Sequence, residues 1–259
     1  MSHHITRSAF ALGSAVLTCV ACTTFGADDP AVNPSDAAAG DASPLDASPL
    51  DASALDADSL ACPAGAFCDD FDAPMVEASW DLTQVDGTGK IAHGADNSFR
   101  SAFEAVTDGM AAHALLVKRF AAATKIDASF DLEVAAWPAP APTGSVVIAQ
   151  VETSGGGPSV SLSVDGAGKV TVDAFDGTGS YARYGTATFP FGKSVRVSFY
   201  VSFGQSGKIV VDAAGINLVT SGFGAPVSGS ANLRLGGQHY VGTLPGFQAS
   251  YDGVRVISK

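Results

Sequence analysis

The feature that most constrains this chain is a regular alternation of apolar and polar side chains between residues 62 and 259. In Ile126–Ala136 every even-numbered residue is apolar and most odd-numbered residues are polar, and in Val195–Phe203 the odd-numbered residues are the apolar ones. Side chains of a β-strand point alternately to opposite faces, so this period of two predicts strands with one buried face. The body of the chain is therefore predicted to be built from strands.

Shorter alternating runs and glycine-rich turns extend the same pattern. The runs are 160–164, 170–174, 209–211 and 233–235, and the turns are DGAG (165–168), DGTG (176–179) and FGQSG (203–207). No long stretch has a convincing helical period, and residues 111–124 are the least clear. Many short strands separated by turns predict an all-β, antiparallel β-sandwich with one polar face on each sheet.

The last predicted strand contains a change of parity. Ala249 and Tyr251 share one face, whereas Val254 and Val256 belong to the other. One extra residue at Asp252-Gly253 would return all four side chains to the same face, and glycine tolerates the kink that such a bulge requires. The pattern therefore predicts a β-bulge there.

The first 21 residues have the pattern of a signal peptide. The apolar run Ala9–Ala21 follows Arg7 and is too short to span a bilayer, which needs about 20 apolar residues. Val20-Ala21-Cys22 resembles a bacterial lipobox, although Cys19 stands where that motif usually has leucine. The resemblance implies lipidation of Cys22 and attachment to the outer membrane or cell surface. Ordinary cleavage near residues 24–26, which would release a secreted protein, is the alternative.

Residues 22–61 are predicted to be a disordered tether. They contain the repeat DASPL-DASPL-DASAL-DADSL and consist largely of Ala, Asp, Pro and Ser, with no basic residue. Such a composition cannot bury enough apolar surface to offset the entropy lost on ordering. The single folded domain is therefore expected at 62–259.

Two cysteines remain in the body, Cys62 and Cys68, in the sequence CPAGAFC. The Pro and Gly between them allow the chain to close a small loop, so an exported protein is expected to form a disulfide here. A zinc site is the rival interpretation, but two sulfurs without a third Cys or a nearby His make a poor set of ligands.

The charge of the chain argues against nucleic acid as a partner. The net charge is −12, of which eight aspartates within residues 28–58 supply the larger part. Residues 62–259 contain 18 acidic and 13 basic residues and no basic run. The folded domain is therefore only mildly acidic and lacks the basic patch that phosphate backbones require.

Three segments of the body resemble the concanavalin A-like jelly roll, as in laminin G-like and glucanase domains. They are FCDDFD (67–72), the strand-hairpin-strand block 194–219, and LRLGG (233–237) followed by GFQASYDGVRVIS (246–258). The resemblance implies that the first and last strands pair. It also implies a structural calcium where those strands meet, with Asp252 and either Asp69 or Asp70 as candidate ligands. Calcium favours such hard oxygen ligands. Solvated or turn-capping aspartates are the alternative.

The same resemblance raises the question of catalysis. Family 16 glycoside hydrolases place Glu-x-Asp-x-Glu on one strand, but the nearest sequence here, 129–133, has Ser in the first position, so a solvated polar face is the better interpretation. Polysaccharide lyases of this fold use Arg, Gln, His and Tyr, for which Arg100 and Gln238-His239-Tyr240 are candidates. The wider signature of that family is missing, so an enzyme is the less favoured reading.

The favoured reading is a module that binds a glycan or a cell-surface polymer. Jelly rolls of this kind often stack aromatic rings on sugars, and Tyr181, Tyr184 and Tyr240 are expected in exposed loops, with Gln238 and His239 supplying hydrogen bonds. Ordinary rim side chains are the alternative for each residue. A purely structural envelope lipoprotein is a further possibility, and catalysis on a polysaccharide remains the alternative function.

Overall fold

A computed structural model of the chain describes residues 62–259 apart from 108, 138–142 and 226–228. The predicted signal peptide, the lipidation site at Cys22 and the tether lie outside the described residues. Within these ranges all regular secondary structure is β-strand, in agreement with the alternation of the sequence. Residues 111–124, the least clear segment of the sequence, contain a nine-residue strand.

Eight strands form one antiparallel sheet, here sheet I. In sequence order they are β1 (Phe67–Asp69), β3 (Gly89–His93), β4 (Phe99–Phe103), β6 (Lys125–Val134), β11 (Val195–Ser202), β12 (Lys208–Ala213), β13 (Ile216–Gly222) and β15 (Phe247–Ser258). Their spatial order is β13-β12-β11-β6-β15-β4-β3, and β1 pairs with β15 beside that row.

Seven strands form the second antiparallel sheet, here sheet II. They are β2 (Leu82–Asp86), β5 (Ala112–Phe120), β7 (Ser145–Thr153), β8 (Ser159–Asp165), β9 (Lys169–Phe175), β10 (Tyr181–Thr188) and β14 (Ala231–His239). Their spatial order is β10-β9-β8-β7-β14-β5-β2. The antiparallel, jelly-roll type of β-sandwich predicted from the sequence is thereby confirmed.

The core lies between the inner faces of the two sheets. Phe130 and Leu132 of β6 face it from sheet I, and Val151 and Leu162 face it from sheet II, all without exposed surface. Trp80 is also buried. Because each strand buries alternate residues, the remaining side chains form an outer face on each sheet.

The two ends of the domain meet as expected. Strand β1 pairs with β15, with Phe67 opposite Val256 and Asp69 opposite Val254. The predicted disulfide between Cys62 and Cys68 is present, with the two Cα atoms 5.9 Å apart, and closes the loop that leads into β1.

The predicted bulge in the last strand is also present. The register of β15 against β6 shifts between Asp252 and Arg255, and Gly253 has a φ of 52°. The Arg196 guanidinium donates hydrogen bonds to the Gly253 carbonyl (3.1 Å) and to the Asp131 carboxylate (3.0 Å), so the neighbouring strands hold the bulge in place.

The described part of the chain contains no helix with the length and apolarity needed to cross a bilayer.

Candidate functional site

The outer face of sheet II carries a polar cluster at its centre. Strand β14 points Leu233 and Leu235 into the core, so Asn232 and Arg234 point outward. The register with β7 places Glu152 directly beside Asn232. These three side chains come from two neighbouring strands and meet on one surface.

Glu152 is the hub of this cluster. Its Oε1 lies 2.5 Å from Nη2 of Arg234 and 3.3 Å from Nδ2 of Asn232. The side chains of Arg234 and Glu152 are only 22% and 16% exposed, which distinguishes the pair from a solvated surface salt bridge. Each charge of such a pair compensates the other, because removing one partner would leave the other buried and unpaired. The ion pair therefore favours one fixed position for the two side chains.

A second group of polar side chains lies further along the same face. Gln238 of β14 is directly opposite His113 of β5, and its amide Nε2 donates a hydrogen bond to the Tyr240 hydroxyl. Tyr240 follows the end of β14 and is 56% exposed. A phenol, an amide and an imidazole therefore occupy one end of the outer face.

The two groups are electrostatically connected through Tyr240. Burial raises the pKa of the Tyr240 phenol above its usual value of 10.0, while the positive charge of Arg234 lowers it and the negative charge of Glu152 raises it. The net direction is upward, so the hydroxyl is protonated at neutral pH. Tyr240 can therefore donate a proton, which is the role of a general acid.

This face also has an unusual share of polar atoms without hydrogen-bond partners. Six buried side-chain nitrogen or oxygen atoms in the described residues lack a partner, and three of them lie here: Nδ1 of His113, Oδ1 of Asn232 and Nε of Arg234. Buried polar atoms are normally paired, because an unmade hydrogen bond costs about 1–3 kcal/mol. Their concentration marks this surface as a candidate site for a polar ligand.

A glycine pair sets the geometry of β14 beneath the site. The register with β7 shifts between Leu235 and Gln238, and Gly236 has a φ of 126°, a conformation that favours glycine. A Cβ on Gly236 would lie 2.1 Å from the Ala114 carbonyl oxygen. Gln238 has the same parity as Asn232 and shares its face, and the unshifted register with β5 places it opposite His113.

Two hydroxyls from sheet I reach through the core and bond to the backbone around this bulge. Tyr251 donates to the Ile148 carbonyl (2.8 Å), and Ser101 donates to the Ala114 carbonyl (2.7 Å) and accepts from the Gly237 N–H (2.8 Å). These hydrogen bonds satisfy backbone groups that the irregular strand leaves inside the core.

His239 points into the protein and not toward the polar cluster. It has no exposed surface, and its Nδ1 and Nε2 lie 3.1 and 3.0 Å from the carbonyl oxygens of Ser145 and Gly242. The ring thus connects the start of β7 to the loop after β14. Because the His239 ring is fixed, the next residue, Tyr240, also has a defined position. Gln238 and Tyr240 point to the outer face.

The sequence analysis expected Tyr181 and Tyr184 in exposed loops. They lie instead in strand β10, because residues 181–188 pair with β9. Tyr181 is 58% exposed, whereas Tyr184 is half-buried and packs against the core. Strand β10 is separated from β14 by β9, β8 and β7, which corresponds to about 19 Å at the usual strand spacing. The structure does not bring the three tyrosines together.

The three aspartates considered for calcium lie near the meeting of the terminal strands. Asp69 accepts hydrogen bonds from Ser79, from the Trp80 indole N–H (2.7 Å) and from the Phe71 N–H (2.9 Å). Asp70 accepts a long bond from the Asp72 N–H (3.4 Å). The Asp69 carboxylate is thus occupied in holding the segment after β1.

Asp252 has the more unusual environment. Burial raises the pKa of its carboxyl group, and the negative charges of Asp131, Asp70 and Asp96 raise it further. No group of three or more side chains in the described ranges has the arrangement of a metal site. Calcium binding therefore stays a prediction that these positions do not test.

Comparisons with known proteins identify the fold. No protein-family model matches the chain, and no curated protein does. Among solved structures, an endo-β-1,4-glucuronan lyase from the fungus Trichoderma reesei superposes with a TM-score of 0.56 and 14% identity, covering 74% of this chain and 95% of the lyase. An alginate lyase has a TM-score of 0.51 and 10% identity, covering 74% of this chain and 96% of the other.

A sialidase has a TM-score of 0.53 and 15% identity, but only 18% of its length is matched. At such low identities these likenesses establish the jelly-roll fold and not the activity. The two lyases nevertheless match over nearly their entire length.

Sequence reasoning missed His113, Asn232 and Arg234, and it set Glu152 aside as part of a solvated face because Gln150-Val151-Glu152 offers only one carboxylate. The alternation around Leu233 and Leu235 already implied that Asn232 and Arg234 face outward. Only the strand order shows that β7 and β5 flank β14 and add Glu152 and His113. Arg100, which had been considered for a lyase, lies on β4 of sheet I and pairs with Ser250, so it belongs to the other sheet.

Proposed function

We propose that this protein binds a polysaccharide across the outer face of sheet II and cleaves it by β-elimination, as a polysaccharide lyase. The observation that carries the proposal is the grouping of Tyr240, Gln238 and His113 beside Arg234 on one sheet face. The match to a glucuronan lyase and an alginate lyase over most of their length supports it. The proposed substrate is a chain that contains uronic acid residues.

The chemistry required is the removal of the C5 proton of a uronate and the loss of the substituent on C4. His113 accepts the C5 proton, the electron pair of that bond forms the C4–C5 double bond, and the C4–O4 bond breaks. Tyr240, which is protonated at neutral pH, donates its proton to the departing O4 oxygen. The products are an unsaturated uronate end and a new non-substituted hydroxyl.

The remaining residues hold the substrate and the catalytic groups. The Gln238 amide positions the Tyr240 hydroxyl through its hydrogen bond. Arg234 supplies positive charge next to Tyr240, where the uronate carboxylate gains negative charge as the C5 proton leaves. Glu152 keeps the Arg234 side chain in place.

Binding without cleavage is the second candidate function, and one observation favours it. Glu152 already compensates the charge of Arg234, which reduces the positive potential available for a uronate carboxylate. In that case the same face binds the polymer through Asn232, Gln238 and Tyr240, and no bond is broken.

The decisive experiment measures unsaturated ends by their ultraviolet absorbance during incubation with glucuronan, alginate, a pectic polyuronate and a neutral glucan. We expect product from a polyuronate and none from the glucan. Tyr240→Phe is expected to lower kcat by about 10²-fold or more, since proton transfer by a positioned side chain contributes about 10²–10⁴-fold. Tyr200→Phe, on sheet I, is the matched control and is expected to retain full activity.

Affinity electrophoresis on the same polymers separates the two candidates. Retardation by a polyuronate that yields no unsaturated ends would overturn the lyase and leave the binding module. Absence of both retardation and products over the whole panel would overturn the assignment to polysaccharides.

The location of the protein is also part of the proposal. Export and lipid attachment at Cys22 would place the domain outside the cytoplasm, where polymers of this kind are encountered. The composition of the leader and of residues 22–61 supports this location.

A further inference from the structure

The edge strand of sheet II carries an exposed aromatic ring that a neighbouring arginine contacts. Tyr181 of β10 is 58% exposed, and its hydroxyl accepts a hydrogen bond from Nη2 of Arg183 at 2.9 Å. The Arg183 guanidinium carbon lies 5.9 Å from the centre of the Tyr181 ring. A single arginine therefore contacts both the ring and the hydroxyl of this tyrosine.

Arg183 is itself fixed by a two-point ion pair. Its Nε lies 2.7 Å from Oδ1 of Asp173, and its Nη2 lies 3.2 Å from Oδ2 of the same carboxylate. This fork geometry is the most specific form of an arginine–carboxylate contact. We call Tyr181, Arg183 and Asp173 the aromatic platform. These contacts restrict the positions that the ring can take, which lowers the cost of immobilising it when a ligand packs on it.

The aromatic platform is continuous with the polar cluster at the centre of the sheet. Successive cross-strand partners of Tyr181 are Phe175 on β9, Ser159 on β8, Glu152 on β7 and Asn232 on β14. These residues form one row across five strands and share the outer face. The row spans about 19 Å at the usual strand spacing.

A small cavity lies beside Tyr181 at the edge of the sandwich. Its volume is about 180 Å³, and its lining includes Tyr181, Tyr184, Asp176 and Ser180 together with the chain at 222–224. Ligand cavities usually have about 300–1,000 Å³. Because the lining also includes Ala174 and Phe223 of the core, the cavity lies on the inner side of β10 and is separate from the outer face that carries the aromatic platform.

We propose that the aromatic platform is a distal sugar subsite for the same polymer, where one ring of the chain packs its C–H face on Tyr181. The inference rests on the proposed function, because the occupant is the polysaccharide bound at the polar cluster. The platform selects long chains, since only a polymer that extends across the row from Asn232 reaches Tyr181. Short oligosaccharides bound near Tyr240 make no contact with it.

The test measures oligosaccharide binding by titration calorimetry in a Tyr240→Phe background, with a series of increasing chain length. Affinity is expected to rise when the chain becomes long enough to reach Tyr181. Tyr181→Ala is expected to abolish that rise, with a loss of about 3- to 10-fold for long chains, the range typical of one aromatic contact. Binding of short chains is expected to stay the same.

Two further variants are controls, one for the tyrosine ring itself and one for the loss of an unrelated tyrosine. Tyr181→Phe keeps the ring and is expected to retain most of the affinity for long chains. Tyr200→Ala removes a tyrosine of sheet I whose ring is also covered by a cation, Lys125, and is expected to leave every chain length unaffected. Thermal unfolding of all variants verifies that they are folded.

The outcomes of this subsite and of the lyase are separable. Equal loss, or no loss, for long and short chains in Tyr181→Ala would overturn the distal subsite even if the protein cleaves polymer. A length-dependent loss in a protein that releases no unsaturated ends would support the subsite and overturn the lyase. If no chain of any length binds, both are overturned.

Discussion

At the scale of single residues, the best-defined polar group lies in the core and not on the surface. The phenol of Tyr251 is fully buried, stacks on Phe99 with ring centres 5.3 Å apart, and donates its hydroxyl hydrogen to the Ile148 carbonyl. The contact joins sheet I to sheet II directly beneath the bulge of β14. Tyr251 therefore stabilises β7, the strand that pairs with β14 on both sides of its bulge.

Replacement of Tyr251 by Phe is expected to lower the free energy of unfolding by about 1–3 kcal/mol, because the buried Ile148 carbonyl loses its donor while the ring packing remains. Urea denaturation at pH 8 measures the change. An unchanged midpoint would show that the hydroxyl contributes nothing to the junction of the two sheets.

The same residue predicts how stability depends on pH. Burial raises the pKa of Tyr251 in the folded state far above the value in the unfolded chain. Its contribution to stability is therefore complete below the unfolded value of about 10 and is lost progressively as the pH rises beyond it. We expect the stability of the wild type to fall more steeply between pH 9 and 11 than that of Tyr251→Phe. Parallel curves for the two proteins would contradict this assignment.

At the scale of elements, one of the two bulges was predictable from the sequence and the other was not. The bulge of β15 was predicted from the change of parity between Tyr251 and Val254, and the register shift confirms it. The bulge of β14 at Gly236-Gly237 left no such trace, because the parity of the flanking side chains is unbroken: Leu235 and His239 both face inward, and the register with β5 does not shift. Its place is decided by contacts with other strands.

A substitution at Gly237 tests how closely β14 approaches the aromatic rings of the core. A Cβ on Gly237 would lie 2.5 Å from a ring atom of Phe247 and 2.7 Å from one of Phe103, two rings that stack on each other in the core. Gly237→Ala is expected to cost about 1–3 kcal/mol, the usual range for overpacking. Gly222→Ala is the matched control, since a Cβ there meets no atom within 4 Å. Equal unfolding midpoints for the two variants would argue against this close approach.

At the scale of the whole molecule, charge opposes the proposed substrate. The chain has a net charge of −12, and a polyuronate is also negative. Long-range repulsion is therefore expected at low ionic strength, and contacts on the outer face of sheet II must overcome it. This behaviour is the reverse of that of a basic protein that binds a polyanion.

Salt is accordingly expected to favour binding of the polyuronate. Raising the ionic strength from 0.01 to 0.1 M shortens the screening length from about 30 to about 10 Å and should lower KM by about 2- to 5-fold. A chain that begins at Cys62 lacks the eight aspartates of residues 28–58 and is expected to have a smaller salt dependence. A KM that increases with salt would mean that local positive charge, not repulsion, controls the approach of the polymer.

Local sequence patterns were enough to predict the features that depend on neighbours along the chain. Alternation within a strand is local, so it gave the β-sandwich, the long strands such as β6 and β11, and the outward direction of their polar residues. Loop closure over six residues is also local, which is why the Cys62–Cys68 disulfide was predictable. The composition of residues 28–58 accounted for most of the acidity.

Which of the outward-facing residues meet depends on the order of the strands in the folded sheet. Glu152 and Arg234 are 82 positions apart, and they form a pair because β7 and β14 are neighbours in sheet II. Strand order depends on packing between segments distant in sequence, and it has no local signature. For the same reason, alternation placed Gln238 and Tyr240 on the face opposite His239 but could not show that Gln238 lies beside His113, because that contact depends on the pairing of β14 with β5.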